Sequence, residues 1–141
     1  MHLSTYLIFD GNCHSAFQFY ARCLGGHIEA MATYGEMPED CGDQVPTEQR
    51  DRIMHARLAI DGQWLMGSDT TSVCPVPYQG IQGAHVTLNV DSPEEAERIF
   101  HALSDNGTIQ MPLEGTFWAQ RFGMCIDSYG VPWMINCEKA M

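Results

Sequence analysis

The sequence predicts an α+β chain: two β-α-β-β-β modules in pseudo-twofold arrangement, their mixed sheets curled around a cleft with the helices outside. Three observations predict it. An offset of 80 aligns Phe9-Asp10 through Gly26 with Val90-Asp91 through Gly107. An offset of 68 aligns Gly62-Gln-Trp-Leu-Met66 with Gly130-Val-Pro-Trp-Met134. Between these repeats lie runs in which apolar and polar residues alternate with period two, the pattern of half-buried strands.

Module one covers about residues 1–71, a linker about 72–83, and module two about 84–141. The first strand, Leu3 to Phe9, is a weak copy of His85-Val-Thr-Leu-Asn-Val90. In the second copy His85, Thr87 and Asn89 share one face and Val86, Leu88 and Val90 the other, so the apolar face packs on a helix. Each helix follows its strand. The repeat pairs Ala16 with Ala96, Phe19 with Ile99, Tyr20 with Phe100 and Cys23 with Leu103, an apolar stripe at i, i+3, i+4, i+7. Ser92 as N-cap, Pro93 at N1 and Glu95 at N3 form a capping box. Gly25-Gly26 and Asn106-Gly107 stop the helices. Ile53 to Ile60 alternates as well, with His55 and Arg57 set against Met54, Ala56, Leu58 and Ile60. Asp61-Gly62 then reads as a hairpin turn into Gln63–Ser68. The 12-residue difference between the two offsets falls in module one's longer connection, Gly35–Arg52, which holds Pro38 and Pro46.

Length and charge narrow the function. At 141 residues the chain suits one domain, or two small modules sharing a core. Lys and Arg number 7 against 18 Asp and Glu, a net charge of −11. Such a surface repels phosphate backbones and anionic lipid, which argues against nucleic-acid or membrane partners. The acidic run Glu36, Glu39, Asp40, Asp43, Glu48 and Asp51 reads as a solvated loop rather than a cation site. The six cysteines (13, 23, 41, 74, 125 and 137) form no C-x-x-C pair, and most sit in apolar periodic segments. The N-terminus carries no signal-peptide pattern, and no apolar run reaches the roughly 18 residues of a membrane span. The expectation is a cytoplasmic protein with reduced thiols.

A paired β-α-β-β-β chain of this length resembles the vicinal oxygen chelate superfamily, which includes glyoxalase, bleomycin-resistance and extradiol dioxygenase relatives. Its PhnB-like branch is the more specific match. The stretches that carry it are Tyr6-Leu-Ile-Phe-Asp-Gly-Asn-Cys13, Phe19-Tyr20, Leu24-Gly25-Gly26, Tyr34-Gly-Glu-Met-Pro38, His55-Ala-Arg57, Thr116-Phe-Trp-Ala119, Phe122-Gly123 and Gly130-Val-Pro-Trp-Met-Ile-Asn136. Each motif is weak alone; their number and order over nearly the whole chain are strong. The resemblance implies a metal site with one ligand from the first and last strand of each module. Those positions are Ser4 (Thr5 in the neighbouring register), Met66, His85 and Met134. Of these only His85 is a good ligand, whereas a catalytic zinc site takes three. Glu138 shares a strand face with Met134 and Asn136 but lies too far along to join His85. No metal and no cofactor is therefore expected.

The polar strand faces carry His55, Arg57, Trp64, Met66, Ser68, His85, Thr87, Asn89, Met134 and Asn136, with Phe117 and Trp118 in a loop that could lid the opening. Aromatic, thioether and neutral polar groups suit a small amphipathic organic ligand. The plain alternative is that Met66, Met134 and Trp133 fill core and that Trp118 is a packing or dimer contact. The family name alone brings in phosphonates; for such an anion the chain offers Arg57 and Arg121. PhnB-like proteins are also labelled demethylubiquinone methyltransferase-like, but the sequence has no G-x-G and no doubly wound pattern for S-adenosylmethionine. G-x-S-x-G, H-E-x-x-H and P-loop motifs are absent too. No catalytic residue is assigned. The expected protein is a homodimeric binder of a small molecule; the alternative is a metal-dependent or metal-free lyase or isomerase on the same scaffold.

Overall fold

The structure, a computed structural model, describes residues 1–36, 45–74 and 77–139. Its elements run β1 (Thr5–Phe9), α1 (Cys13–Leu24), β2 (His27–Thr33), β3 (Ile53–Ile60), β4 (Gln63–Asp69), β5 (Val86–Asn89), α2 (Pro93–Ser104), β6 (Thr108–Glu114), β7 (Ala119–Ile126) and β8 (Pro132–Glu138). The chain divides into two compact units, Met1–Gly80 and Ile81–Met141. Each holds one β-α-β-β-β module.

The two sheets share a topology. Their strand orders are β1-β4-β3-β2 and β5-β8-β7-β6. In each, the first strand pairs parallel with the last and the remaining pairs are antiparallel. A parallel neighbour needs a long crossover, which the helix and two intervening strands supply.

In unit one, Leu7, Phe9, Ala56, Leu58 and Leu65 are buried with Cys13, Ala16, Phe17, Tyr20 and Cys23 of α1. The helix ends where Gly25 takes a left-handed φ of 72° and its N–H bonds Ala21 O. Asp61 and Gly62 both have positive φ, 48° and 78°. With Ile60 paired to Gln63, they make the two-residue primed turn that favours glycine. In unit two, Ala96, Ile99, Phe100 and Leu103 of α2 are buried with Ala119, Cys125, Trp133, Ile135 and Cys137 of the sheet. Ser92 Oγ accepts the Glu95 N–H at 3.1 Å, the predicted cap.

Three expectations need correction. The inward residue of α1 is Phe17, while Phe19 is only half-buried. A Cβ at Gly67 would come within 2.9 Å of the Phe17 ring, so this bare backbone makes room for it. The strict alternation of 53–60 breaks at its start. The register shift between Ala32 and Thr33 pairs His55 and Ile53 with adjacent residues of β2, leaving Met54 as an extra residue and turning Ile53 into the core. The first strand begins at Thr5, and Leu3 is exposed. Trp133 fills core, as its plain reading held, with its indole N–H donating to Asp127 Oδ2 at 2.7 Å. The module-one connection contributes short 3₁₀ turns at Tyr34–Glu36 and Thr47–Gln49. Glu36, Glu48 and Asp51 are exposed there; Pro38, Glu39, Asp40, Cys41 and Asp43 lie outside the described residues. No helix is long and apolar enough to cross a membrane, among the described residues.

Candidate functional site

Each sheet turns one face to its helix and leaves the other open. Paired residues on neighbouring strands share a face, so the registers define the open faces.

In unit one, Met66 lies between Tyr6 of β1 and Arg57 of β3. Ile8 pairs with Ser68 one step along, and Trp64 with Ala59 at the other end. The predicted residues His55, Arg57, Trp64, Met66 and Ser68 thus share this face. Tyr6 joins them unforeseen: its hydroxyl lies 3.2 Å from His55 Nδ1, and the two rings stack with centroids 5.8 Å apart. Arg57 is already engaged. Its Nε lies 3.1 Å from Glu29 Oε2, close enough for an ion pair but without hydrogen-bond alignment, and its guanidinium sits 4.8 Å over the Trp64 ring. Ser68 is buried, and Met66 is half-buried.

In unit two, one row across the open face reads Thr87, Met134, Met124 and Met111. The next reads Asn89, Asn136, Phe122 and Glu114. Asn136 Nδ2 donates to Asn89 Oδ1 at 3.0 Å. His85 stands just before β5, two residues before Thr87, with Nε2 3.2 Å from Gln110 Oε1. Trp118 packs on Phe122 at 5.6 Å and Phe117 on Trp118 at 4.7 Å; both loop aromatics are exposed. Arg121, expected as a cation for an anionic ligand, is instead directed to the helix side, where its Nε donates to Glu97 Oε1 at 3.3 Å. Its cross-strand partner Cys137 is buried in the core.

Sequence reasoning missed Tyr6, Phe122, Met124 and Met111. Counting by twos from Ser4 along β1, or back from Met134 across β7, would have found the first three.

The registers also test the expected ligand positions. Ser4 precedes β1 as His85 precedes β5, and Tyr6–Met66 corresponds to Thr87–Met134. Ser4 is exposed, and both positions on the last strands carry a thioether. Among the described residues, no group of three or more His, Cys, Asp or Glu side chains could hold a metal ion. The residues at these positions do not fit a hard or borderline divalent ion. Nor do Cys13 and Cys125 offer a thiolate. Burial, and Asp69 after it, pushes Cys13 far up; burial, and Asp127 after it, pushes Cys125 up to about 11.

A family model described as 3-demethylubiquinone-9 3-methyltransferase matches residues 1–136. The chain belongs to that family. Protein YjdN of Escherichia coli strain K12 is similar at 40% identity over 147 residues, covering 99% of this chain and 97% of its own. The crystal structure of PA1353 from Pseudomonas aeruginosa matches at 48% identity and a TM-score of 0.89, covering 99% of both chains. The Bacillus cereus PhnB protein, described as a putative 3-demethylubiquinone-9 3-methyltransferase, matches at 24% identity and a TM-score of 0.76, over 97% of this chain and 99% of that one. FosX, a fosfomycin resistance protein of Listeria monocytogenes, shares the fold at 10% identity and a TM-score of 0.65, over 99% of this chain and 94% of its own. This family member is thus PhnB-like and has the vicinal oxygen chelate fold. Among the described residues neither sheet is doubly wound, and no glycine-rich strand-to-helix turn of the kind that holds a nucleotide-like cofactor is present.

Proposed function

We propose that this protein binds a small organic molecule on the open sheet faces and does so without the metal site usual for its superfamily. The observation that carries the reading is the pair Met66 and Met134. They occupy corresponding positions in the two modules, each half-buried on an open face. Loss of one ligand would be erosion; the same replacement at both positions fits a surface remade for apolar contact. Thioethers are polarizable and adapt their shape, which suits a ligand of mixed character. Tyr6, Trp64, Phe122 and Trp118 supply aromatic surface, and Ser68, Thr87 and Asn136 supply polar anchors.

The protein is read further as a cytoplasmic homodimer with no nucleic-acid or membrane partner. Native mass spectrometry of protein taken directly from its host tests both parts. The expected spectrum shows twice the chain mass plus an organic adduct that dissociates on activation. A bare monomer at micromolar concentration would contradict the dimer, and an adduct-free spectrum whose stability no metabolite raises would contradict the binding reading. A ligand of the native state must raise stability by mass action.

A further inference from the structure

Asn136 holds an acceptor that the fold leaves unpaired. Its Nδ2 donates to Asn89 Oδ1 at 3.0 Å, while its Oδ1 is buried and has no hydrogen-bond partner. Buried acceptors are nearly always paired, because losing water without gaining a donor is costly. This atom sits in a specific setting. Phe122 is the cross-strand neighbour of Asn136 on one side and Asn89 on the other. Trp118 lies 5.6 Å from Phe122 and is 47% exposed. Met134, Met124 and Met111 form the adjoining row.

The charges around it are equally specific. No lysine or arginine belongs to these two rows. Arg98 lies on α2, Arg121 bonds Glu97 of that helix, and Lys139 follows β8. Glu114 ends the Phe122 row, and the chain carries a net charge of −11. Within these two rows an anionic group would meet an acceptor and a carboxylate, with no cation among the described residues of the rows.

We propose that the open face of module two recognises a planar, uncharged ring bearing an N–H donor, such as an aryl carboxamide or an amino-heterocycle. The N–H donates to Asn136 Oδ1. The ring packs against Phe122 and Trp118, and the methionine row contacts its edge. The proposal rests on the binding reading above and adds the chemistry of the ligand. It also sets phosphonates and carboxylates aside as the favoured class.

Three matched probes test it on the full-length protein: benzamide, methyl benzoate, which has the ring and carbonyl but no donor, and benzoate. Dissociation constants come from ligand-observed NMR at millimolar concentration. Tryptophan fluorescence locates the site, with a Trp118→Phe variant assigning the signal. Benzamide is expected to bind about tenfold or more tightly than either of the others, a difference of one good hydrogen bond. Asn136→Leu should erase that preference while the melting temperature of the free protein holds or rises, because the unpaired acceptor is gone. Equal binding of benzamide and methyl benzoate, tighter binding of benzoate, or a preference that survives in Asn136→Leu would each overturn the inference. Those results leave the general binding reading standing, since native mass spectrometry decides it separately. Binding of none of the three probes would also overturn the inference.

Discussion

Asp69→Ala is expected to lose about 4 kcal/mol of stability, because three backbone donors depend on one carboxylate. Asp69 ends β4 and is 2% exposed. Its Oδ1 accepts from Gly11 N at 2.8 Å and Cys13 N at 3.0 Å, and its Oδ2 accepts from Ile53 N at 2.8 Å. The residue at the start of α1, Asn12, makes no side-chain cap. Asp69 does that work from across the sheet, and so ties the strand β4, the helix start and the bulged start of β3 together. Alanine would leave these donors without an acceptor, two of them fully buried. For a chain of this length the loss corresponds to a fall in melting temperature of roughly 10–20 °C. Asp69→Asn should recover only part of it, since the amide nitrogen must face a backbone N–H. The two variants compared by thermal melting check the account; a fall of only a few degrees in Asp69→Ala would show that water replaces the carboxylate.

Asp127→Ala is expected to cost about 3 kcal/mol by the same reasoning, in the other module. Asp127 is 3% exposed. Its Oδ1 accepts from Tyr129 N at 2.8 Å and Val131 N at 3.0 Å, closing the turn between β7 and β8. Its Oδ2 accepts the indole N–H of Trp133, the largest fully buried side chain. The carboxylate thus sets both the turn and the rotamer of the core tryptophan one step from Met134. Trp133→Phe removes one donor and some volume but leaves the turn closed, so chemical denaturation should find Asp127→Ala the more damaging of the two. The reverse order would place the weight in packing rather than in the turn.

Much of the fold is legible in the residues because the module is written twice. The Ser92 N-cap, the Asp61-Gly62 hairpin and the alternation from His85 to Asn89 each depend on a local rule, and each appears as read; of the capping box, the Ser92 half is formed, while Glu95 pairs with Arg98. What escaped depends on contacts between distant segments. The repeat pairs Phe17 with Glu97, an exposed residue bonded to Arg121, so the offset concealed that Phe17 is core. Nothing local announces the extra residue at Met54; a bulge is visible only when β2 lies beside β3. The candidate faces were read on the last strands and on β5, where the repeat is clear. They were missed on β1 and β7, where Tyr6 and Phe122 read only as family motifs, until the register put Tyr6 beside Met66, Phe122 beside Asn136 and Met124 beside Met134. Arg121 went the other way. Its strand forms part of the open face, but alternation sets Arg121 opposite Phe122, paired with buried Cys137, and Glu97 holds it on the helix side.

The central claim is that the matched methionines mark a binding face in place of a metal site. Metal analysis of protein purified without added metal, run beside a His85→Ala variant, tests it most directly. The account predicts no divalent ion near stoichiometry in either protein. About one tightly held ion per chain, lost in His85→Ala, would contradict it.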